Sequence, residues 1–323
     1  MPKPWLPSSP QDQALARQRF DPKSAVPFVN KSISEETRRA YARAVADFFQ
    51  FVGGKHPTEV VPNDVLRWRD HLRAGRKSAA TVAFKLSVVR SFFEYLKAGG
   101  VVPLNPASTK LVAVPEVSDD PAGRALTPKE VIYLLAGPDR SKAEGARDYA
   151  LILVMLRLGL RVSEVCGLRS SAIKWSHGRW VLKCKVKGGR ERTLPVPADV
   201  KKAVDEYLKL DAKRRSTLHS DGVDAYIFQP HSNYRTLVFD KGLSPRMAWN
   251  IVSRWGSYCG VGTLSPHDLR RTAITKALDQ GLSYRQVQMM SGHRDPKTVM
   301  RYDHGRENLE QNAVNFISYE EEK

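Results

Sequence analysis

The sequence predicts a mainly α-helical (α+β) protein with one small β-sheet, divided into two domains. Over most of the chain, apolar residues recur at spacings of three and four, which is the period of an amphipathic helix. Apolar and polar residues alternate in the segment 179–197, which predicts a β-hairpin. Proline and glycine are frequent in 103–123, as is typical of a linker. We divide the chain into an N-terminal tail (1–30), a helical domain (31–113), a linker (114–126), a second domain (127–305) and a C-terminal tail (306–323).

The N-terminal domain is predicted to contain three main helices. Ser34 is placed to cap the first, whose apolar face includes Tyr41, Val45 and Phe48. The second helix lies around 65–72 and the third spans 82–96, with Phe84, Val88, Phe92, Phe93 and Leu96 on its apolar side.

The second domain begins with a capping box, in which Thr127 is the cap and Glu130 the third residue of the helix. A strongly apolar helix follows at 147–157 and stops at Gly159. After the hairpin, helices are predicted at 198–210, 245–257, 266–279, 283–290 and 296–303.

The chain is strongly basic, with 52 Lys and Arg against 34 Asp and Glu, a net charge of +18. Such an excess favours a polyanionic partner, and nucleic acid leads because no basic amphipathic helix for a membrane surface is visible. Cys166, Cys184 and Cys259 form no CxxC pair, which argues against disulfides and a cysteine-rich zinc site. We expect no cofactor and no membrane contact, and a cytoplasmic, nucleoid-associated protein.

Four short segments carry candidate chemistry. They read GLRVSE at 159–164, HDLR at 267–270, SGH at 291–293 and RYDH at 301–304. Ser265, Pro266 and Asp268 predict a helix start whose first turn presents His267 and Arg270 on one face, suited to a phosphate.

Two of these charged groups also have ordinary explanations. Arg161 follows a buried helix and needs a partner; Glu164 could orient it, or the two could form a plain structural ion pair. Arg270 alone could be a surface arginine at a helix start.

The four segments, in this order and at these gaps, resemble the signature of the tyrosine recombinase (phage integrase) family over about residues 30–305. The resemblance implies a covalent link between DNA and Tyr302. It assigns Arg161 and Arg270 to the phosphoryl oxygens, and makes His293 a further hydrogen-bond donor. It makes His267 the base that takes the Tyr302 proton.

The resemblance also implies a catalytic lysine on the hairpin, which falls on Lys187 and would protonate the leaving 5′ oxygen. Its neighbours Arg190 and Arg192 would touch the DNA backbone, although a solvated charged turn is the commoner meaning of such a run. The product would be a 3′-phosphotyrosine, and no ATP is needed because the bond energy is kept. Metal independence is expected because the six candidate catalytic residues include no carboxylate.

The partners implied are double-stranded DNA and further copies of the chain. The helical domain would act as the family's core-binding (SAM-like) domain and close a C-shaped clamp around duplex DNA with the catalytic domain. Plausible phosphate contacts, each as well explained by a solvated helix face, are Arg38, Arg43, Lys77, Lys85 and Arg90. The tail 306–323 would dock on a neighbouring protomer in a tetramer on two DNA sites, with possible accessory or directionality factors and a bacterial or mobile-element origin.

Two other functions fit parts of the pattern. A type IB topoisomerase shares the tyrosine and the arginines but usually carries lysine where His267 stands. A non-catalytic DNA-binding regulator on the same fold would not need chemically competent residues at all six positions, as this chain has.

Overall fold

The computed structural model describes residues 19–117, 123–185, 191–212, 215, 224–231, 241–303 and 313–316. The chain divides into two compact units, Met1–Ser118 and Asp119–Lys323. Both are mainly helical, and a three-stranded sheet lies in the second, so the predicted fold class is confirmed. Within the described ranges, no helix combines the length and the apolarity that crossing a membrane requires.

The described residues 19–117 of the N-terminal unit form four α-helices around an aromatic core. Their bounds are α1 Val26–Asn30, α2 Glu35–Phe51, α3 Pro62–Ala74 and α4 Ala79–Ala98. Ser34 caps α2 as predicted, since its hydroxyl accepts the Thr37 N–H. Phe48 and Trp68 are fully buried and meet edge to face, with ring centroids 5.1 Å apart.

Two predictions for this unit are wrong. Part of the expected tail is folded, because Pro22–Ala25 and α1 are helical and Phe28 is fully buried against Tyr41 and Phe92. An aromatic side chain in so short a segment gives no periodicity from which its burial could be predicted. Phe84, expected on the apolar side of α4, is 44% exposed.

The second unit is organised around a nearly fully buried helix. Among its described residues, the helices are α5 Pro128–Ala136, α6 Ala143–Leu158, α7 Val162–Cys166, α8 Ala198–Leu210, α9 Pro245–Tyr258, α10 Pro266–Asp279, α11 Tyr284–Ser291 and α12 Pro296–Met300. Thr127 and Glu130 form the predicted capping box of α5. The central helix α6 packs against α8 and α10 and is buried on most of its surface. Gly159 ends α6 in the left-handed conformation (φ 57°), which glycine adopts without strain.

The sheet has strand order β1-β2-β3 and is antiparallel throughout. The strands are β1 Ile173–Ser176, β2 Arg179–Lys185 and β3 Glu191–Pro195. The hairpin β2–β3 was predicted, whereas β1 was not, because its four residues are too few for a clear alternation. Along β3, Leu194 is buried and Arg192 lies two residues before it on the same face.

Candidate active site

The start of α10 positions two of the predicted catalytic side chains. Ser265 caps the helix, and the Asp268 carboxylate accepts from the Ser265 N–H (2.8 Å) and hydroxyl (2.7 Å). Asp268 also accepts the backbone N–H of Arg124 at 3.0 Å. These bonds fix the first turn of α10, which carries His267 on the surface and Arg270 in the interior.

Arg270 is 3% exposed and is held by backbone oxygens of two distant segments. Its guanidinium donates to the Gly159 carbonyl at the end of α6, and to the Ser291 carbonyl at 2.8 Å. It also donates to His293 Nε2 at 3.0 Å. Burial, followed by the positive charge of Arg161, lowers the pKa of Arg270 to about 10, so the group stays charged at neutral pH.

Arg161 is the N-cap residue of α7 and is tied to Glu164. The Arg161 backbone N–H donates to Glu164 Oε2 at 2.8 Å, and its guanidinium donates to Oε1 at 2.9 Å. The Arg161 side chain remains 33% exposed, whereas Glu164 is buried. Arg161 is therefore oriented by a buried carboxylate and keeps one side open to solvent.

Arg192 does not occupy the position predicted for it. It was expected to touch DNA backbone, but its side chain is only 9% exposed and points into the protein. Its guanidinium donates to Glu164 Oε2 at 3.1 Å and to the Met290 carbonyl at 2.6 Å. The prediction was wrong because β3 turns the Arg192 side chain to the same face as buried Leu194.

The two histidines are both held in the neutral form. The protein around its ring partly desolvates His267, although the residue as a whole is exposed; this desolvation, followed by the charge of Arg270, lowers the pKa of His267. The same two causes, with Arg161 next, lower the pKa of His293 to about 3. Because a guanidinium only donates, His293 Nε2 must accept from Arg270, and Nδ1 then donates to the Ser291 hydroxyl at 2.9 Å. In this arrangement Nε2 of His293 faces Arg270 and offers no proton to a ligand.

Tyr302 lies just beyond the end of α12, which stops at Met300 and is shorter than predicted. The tyrosine is 3% exposed and packs among Ile274, Val287 and Val299. Its ring lies nearly parallel to the His293 ring, with centroids 5.9 Å apart. The predicted nucleophile is thus next to the predicted histidine, but inside an apolar cluster.

The sequence profile of the Phage integrase family matches residues 124–308, and that of the Phage integrase, N-terminal SAM-like domain, matches 28–100. A protein named tyrosine recombinase XerC from Roseiflexus sp. (strain RS-1) is 33% identical over 278 residues, which cover 85% of each chain. The chain belongs to the phage integrase family. A protein named tyrosine recombinase XerD from Pseudomonas aeruginosa is 28% identical, with 86% of this chain and 89% of that one covered. This family member is a tyrosine-type site-specific recombinase.

Two solved structures share the fold. The XerH site-specific recombinase bound to palindromic difH substrate superposes with a TM-score of 0.67 at 16% identity, over 94% of this chain and 91% of that one. The Tn1549 transposon integrase in complex with circular intermediate DNA gives a TM-score of 0.67 at 16% identity, over 93% of this chain and 100% of that one. At these identities the likeness concerns the architecture.

Five of the six residues that the family resemblance assigned to catalysis lie together in this phage integrase. Arg161, Arg270 and the two histidines are electrostatic neighbours, and Tyr302 stacks on His293. The sixth, Lys187, lies outside the described residues, as does Arg190.

The phosphate contacts expected in the N-terminal unit fall into two groups. Arg43 and Lys77 are exposed. The other three side chains have partners in the protein: Arg38 donates to the Ser32 carbonyl at 2.6 Å, Lys85 pairs with Asp47, and Arg90 donates to the Ala107 carbonyl at 2.8 Å.

Arg90 is the weakest of these assignments. It is only partly exposed, and burial lowers its pKa. Its prediction as a phosphate contact is corrected, because the guanidinium braces the Ala107 segment from inside the unit.

Three backbone carbonyls that hold the arginines of the candidate site were not predicted from the sequence. The carbonyls of Gly159 and Ser291 accept from Arg270, and the carbonyl of Met290 accepts from Arg192. A backbone carbonyl leaves no signature of its own in a sequence, but Gly159 and Gly292 do. Both adopt positive φ (57° and 67°) and mark where the chain turns back toward an arginine.

Proposed function

We propose that the chain cuts and rejoins DNA strands at specific sites through a 3′-phosphotyrosine link to Tyr302. The observation that carries this proposal is the convergence of side chains from four separate segments. Arg270 of α10 donates to His293, His293 stacks on Tyr302, and Arg161 lies close enough to lower the pKa of Arg270. Such a set can bind a phosphodiester and attack it.

The two arginines would stabilise the charge that builds on the phosphoryl oxygens. Arg161 has the exposed side needed to reach a ligand, and Arg270 adds a second fixed positive charge. Because both guanidiniums are held before DNA arrives, little reorganisation is needed at the moment of reaction.

Proton transfer would be shared between His267 and Lys187. His267 is exposed and its pKa is lowered, so at neutral pH it is unprotonated and able to accept the Tyr302 proton. Lys187 would donate to the leaving 5′ oxygen. The phosphotyrosine keeps the energy of the broken bond, so rejoining reverses these steps without ATP.

Metal independence is supported by the state of the two nearby carboxylates. Glu164 is occupied by Arg161 and Arg192, and Asp268 by the cap of α10 and the Arg124 N–H. Searched over the described ranges, the chain holds no cluster of three His, Cys, Asp or Glu side chains suited to a metal ion. Charge neutralisation at the phosphate would therefore come from the arginines.

Attack by Tyr302 would require a change around its side chain. Only 3% of the residue is exposed, which leaves little room for a DNA phosphate beside it. We propose that DNA binding favours an arrangement in which the segment after α12 is displaced, and that His293 then exchanges Arg270 for a phosphoryl oxygen.

DNA contacts outside the site would come from both units, with the N-terminal helical unit acting as the core-binding domain. Arg43 and Lys77 are exposed and remain proposed phosphate contacts. Lys77→Ala should weaken binding for all DNA sequences alike and reduce the salt slope of log K by about 1. An unchanged slope in binding titrations at several salt concentrations would remove Lys77 from the interface.

Assembly into a tetramer on two DNA sites is also proposed, with the tail 306–323 docking on a neighbouring protomer. Deleting 306–323 should abolish pairing of two DNA sites while single-site binding persists, as measured by the mass of the DNA complexes. Unchanged pairing would exclude the tail as the connection.

Covalent trapping tests the central proposal. The purified protein is incubated with sheared DNA from its source organism in chelator, quenched in denaturant, recovered, and the attached DNA is sequenced. Wild type should carry DNA joined through a 3′ phosphate at a recurring site, and Tyr302→Phe should carry none because it lacks the nucleophile. Tyr133→Phe, at an exposed tyrosine of α5, is the matched control and should behave as wild type.

The outcomes separate the remaining alternatives. An adduct without site preference would favour a type IB topoisomerase. DNA binding without an adduct, on intact and on nicked DNA, would favour a non-catalytic regulator. An adduct that persists in Tyr302→Phe would show that another residue is the nucleophile.

A further inference from the structure

The Arg192 side chain is only 9% exposed and lies where three parts of the second unit meet. It stands on β3, directly opposite Cys184 of β2. One of its terminal nitrogens bonds the Glu164 carboxylate at the start of α7, and the other bonds the Met290 carbonyl near the end of α11. Burial raises the pKa of the Cys184 thiol, so this neighbour is uncharged and does not compete with Glu164 for the guanidinium.

Glu164 connects Arg192 to the site, because the same carboxylate serves two arginines. Oε1 accepts from Arg161 and Oε2 accepts from Arg192. A buried carboxylate with two charged donors on different oxygens has its orientation fixed. Without Arg192, Glu164 could rotate about its side-chain torsions and carry the Arg161 guanidinium with it.

The second contact reaches the loop that carries His293. Arg192 donates to the Met290 carbonyl and lies so close to Gly292 that a Cβ there would stand 2.6 Å from Arg192 Nη1. Gly292 also has φ 67°, where side chains are disfavoured. The turn between α11 and His293 is thus packed directly onto the Arg192 side chain.

We propose that Arg192 is a positioning residue. It holds Glu164, and through Glu164 the Arg161 guanidinium, in a fixed position relative to the loop that carries His293. It touches no reacting atom and acts through Glu164 and Met290. A lysine cannot replace it fully, because one ammonium cannot span both acceptors as the planar fork does. The role in DNA cleavage rests on the proposed function, whereas the positioning itself is a property of the free protein.

The rival explanation is that Arg192 merely anchors β3 and stabilises the fold. The titration of His293 separates the two. Burial and the charges of Arg270, Arg161, His267 and Arg192 all lower the pKa of His293. If the loop loosens, His293 becomes hydrated and its pKa rises toward the ordinary value near 6.5.

The first experiment follows the His293 ring nitrogens by NMR from about pH 8 to about pH 5, the range in which an ordinary histidine titrates. Wild type should stay neutral throughout, whereas Arg192→Lys and Arg192→Met should titrate within it. Arg192→Lys is the decisive variant, because it keeps the charge and a shift must then report lost position. Arg179→Met, at an exposed arginine on β2, is the matched control and should not shift His293.

The second experiment measures the rate of covalent adduct formation on source DNA. Arg192→Met should slow it by about 10²-fold, the loss expected from a small misplacement of catalytic groups, with DNA affinity unchanged. Arg192→Lys should lose less. Glu164→Gln combined with Arg192→Met should be less than additive, since both substitutions release the same contact.

The two experiments separate a failure of the positioning role from a failure of the proposed function. If His293 stays neutral in Arg192→Lys and in Arg192→Met while the melting temperature falls, Arg192 only stabilises the fold and the inference is wrong. If Arg192→Met does not fold, Arg192→Lys alone decides. If wild type forms no adduct, the proposed function fails, but the His293 titration still tests the positioning role.

Discussion

Arg270 and Tyr302 are both almost fully buried, yet their surroundings differ in kind. Arg270 is held by directional hydrogen bonds to the Gly159 and Ser291 carbonyls and to His293. Tyr302 is held by packing: Ile274, Val287 and Val299 are its apolar neighbours, and the His293 ring stacks on it. Hydrogen bonds fix an orientation, whereas apolar packing opposes exposure without specifying one direction. We therefore call Arg161 and Arg270, the proposed phosphate-binding groups, the preassembled half of the site. Tyr302, the proposed nucleophile, and the apolar side chains packed around it are the stored half.

The largest effect on adduct formation is expected from substitutions in the preassembled half. Arg270→Ala and Arg161→Ala should each slow adduct formation by about 10²–10³, because each removes a positive group that we propose stabilises the phosphate. Their effects on the free energy of unfolding should differ. Arg270→Ala leaves two buried carbonyls unpaired and should cost about 1–3 kcal/mol, whereas Arg161→Ala should cost less because Glu164 keeps Arg192.

Trapping rates and urea unfolding measure both quantities on the same preparations. An equal loss of unfolding free energy in the two variants would contradict the view that Arg270 contributes more to the stability of the fold than Arg161 does.

A second effect concerns His293, which lies between the two halves. Its pKa is about 3 in the folded protein against an ordinary 6.5, so the unfolded chain binds more protons between these values. Its contribution to stability is therefore present above about pH 6.5 and is lost as the pH falls toward 3, by up to about 1.4 kcal/mol per pH unit. His293→Gln should flatten this part of the pH profile of the unfolding free energy.

The control is His177→Asn, at an exposed turn with φ 51° that asparagine tolerates. If His293→Gln and His177→Asn gave the same pH profile, burial and the nearby arginines would not lower the pKa of His293 in the folded protein.

The smallest effect is expected from a substitution that loosens the packing of the stored half. Val299 is fully buried beside Tyr302, and Val299→Ala removes about two methylene equivalents, about 1.6 kcal/mol of burial. Hydrogen exchange over 296–303 should accelerate, while adduct formation is not slowed. Val65→Ala, at a fully buried valine of α3, should leave exchange in 296–303 unchanged. Slower adduct formation in Val299→Ala would mean that the apolar cluster also aligns the nucleophile.

The elements that sequence predicted best are those with strong local signals. Three such signals depend only on neighbouring residues, and all three features are present. They are the capping boxes at Thr127 and Ser265 and the left-handed end of α6 at Gly159. Folding of residues 22–30 depends on Phe28 meeting rings far along the chain, which no local pattern records.

Arg192 illustrates how a charged residue can mislead. In the run RER at 190–192 it resembles a solvated turn, and composition favours exposure. The period of a strand gave the better signal, since Arg192 and Leu194 share a face and Leu194 belongs inside. The bonds to Glu164 and Met290 link residues that are far apart in sequence, so only the folded chain reveals them.

The Gly159 carbonyl that accepts from Arg270 has a consequence for genetics. A point mutation exchanges side chains and leaves the peptide oxygen in place, so the group that orients Arg270 is invisible to alanine scanning. Such a scan would report Arg270 as an isolated essential residue. Replacing the peptide bond after Gly159 by an ester would weaken that oxygen as an acceptor and expose a dependence that mutagenesis does not reach.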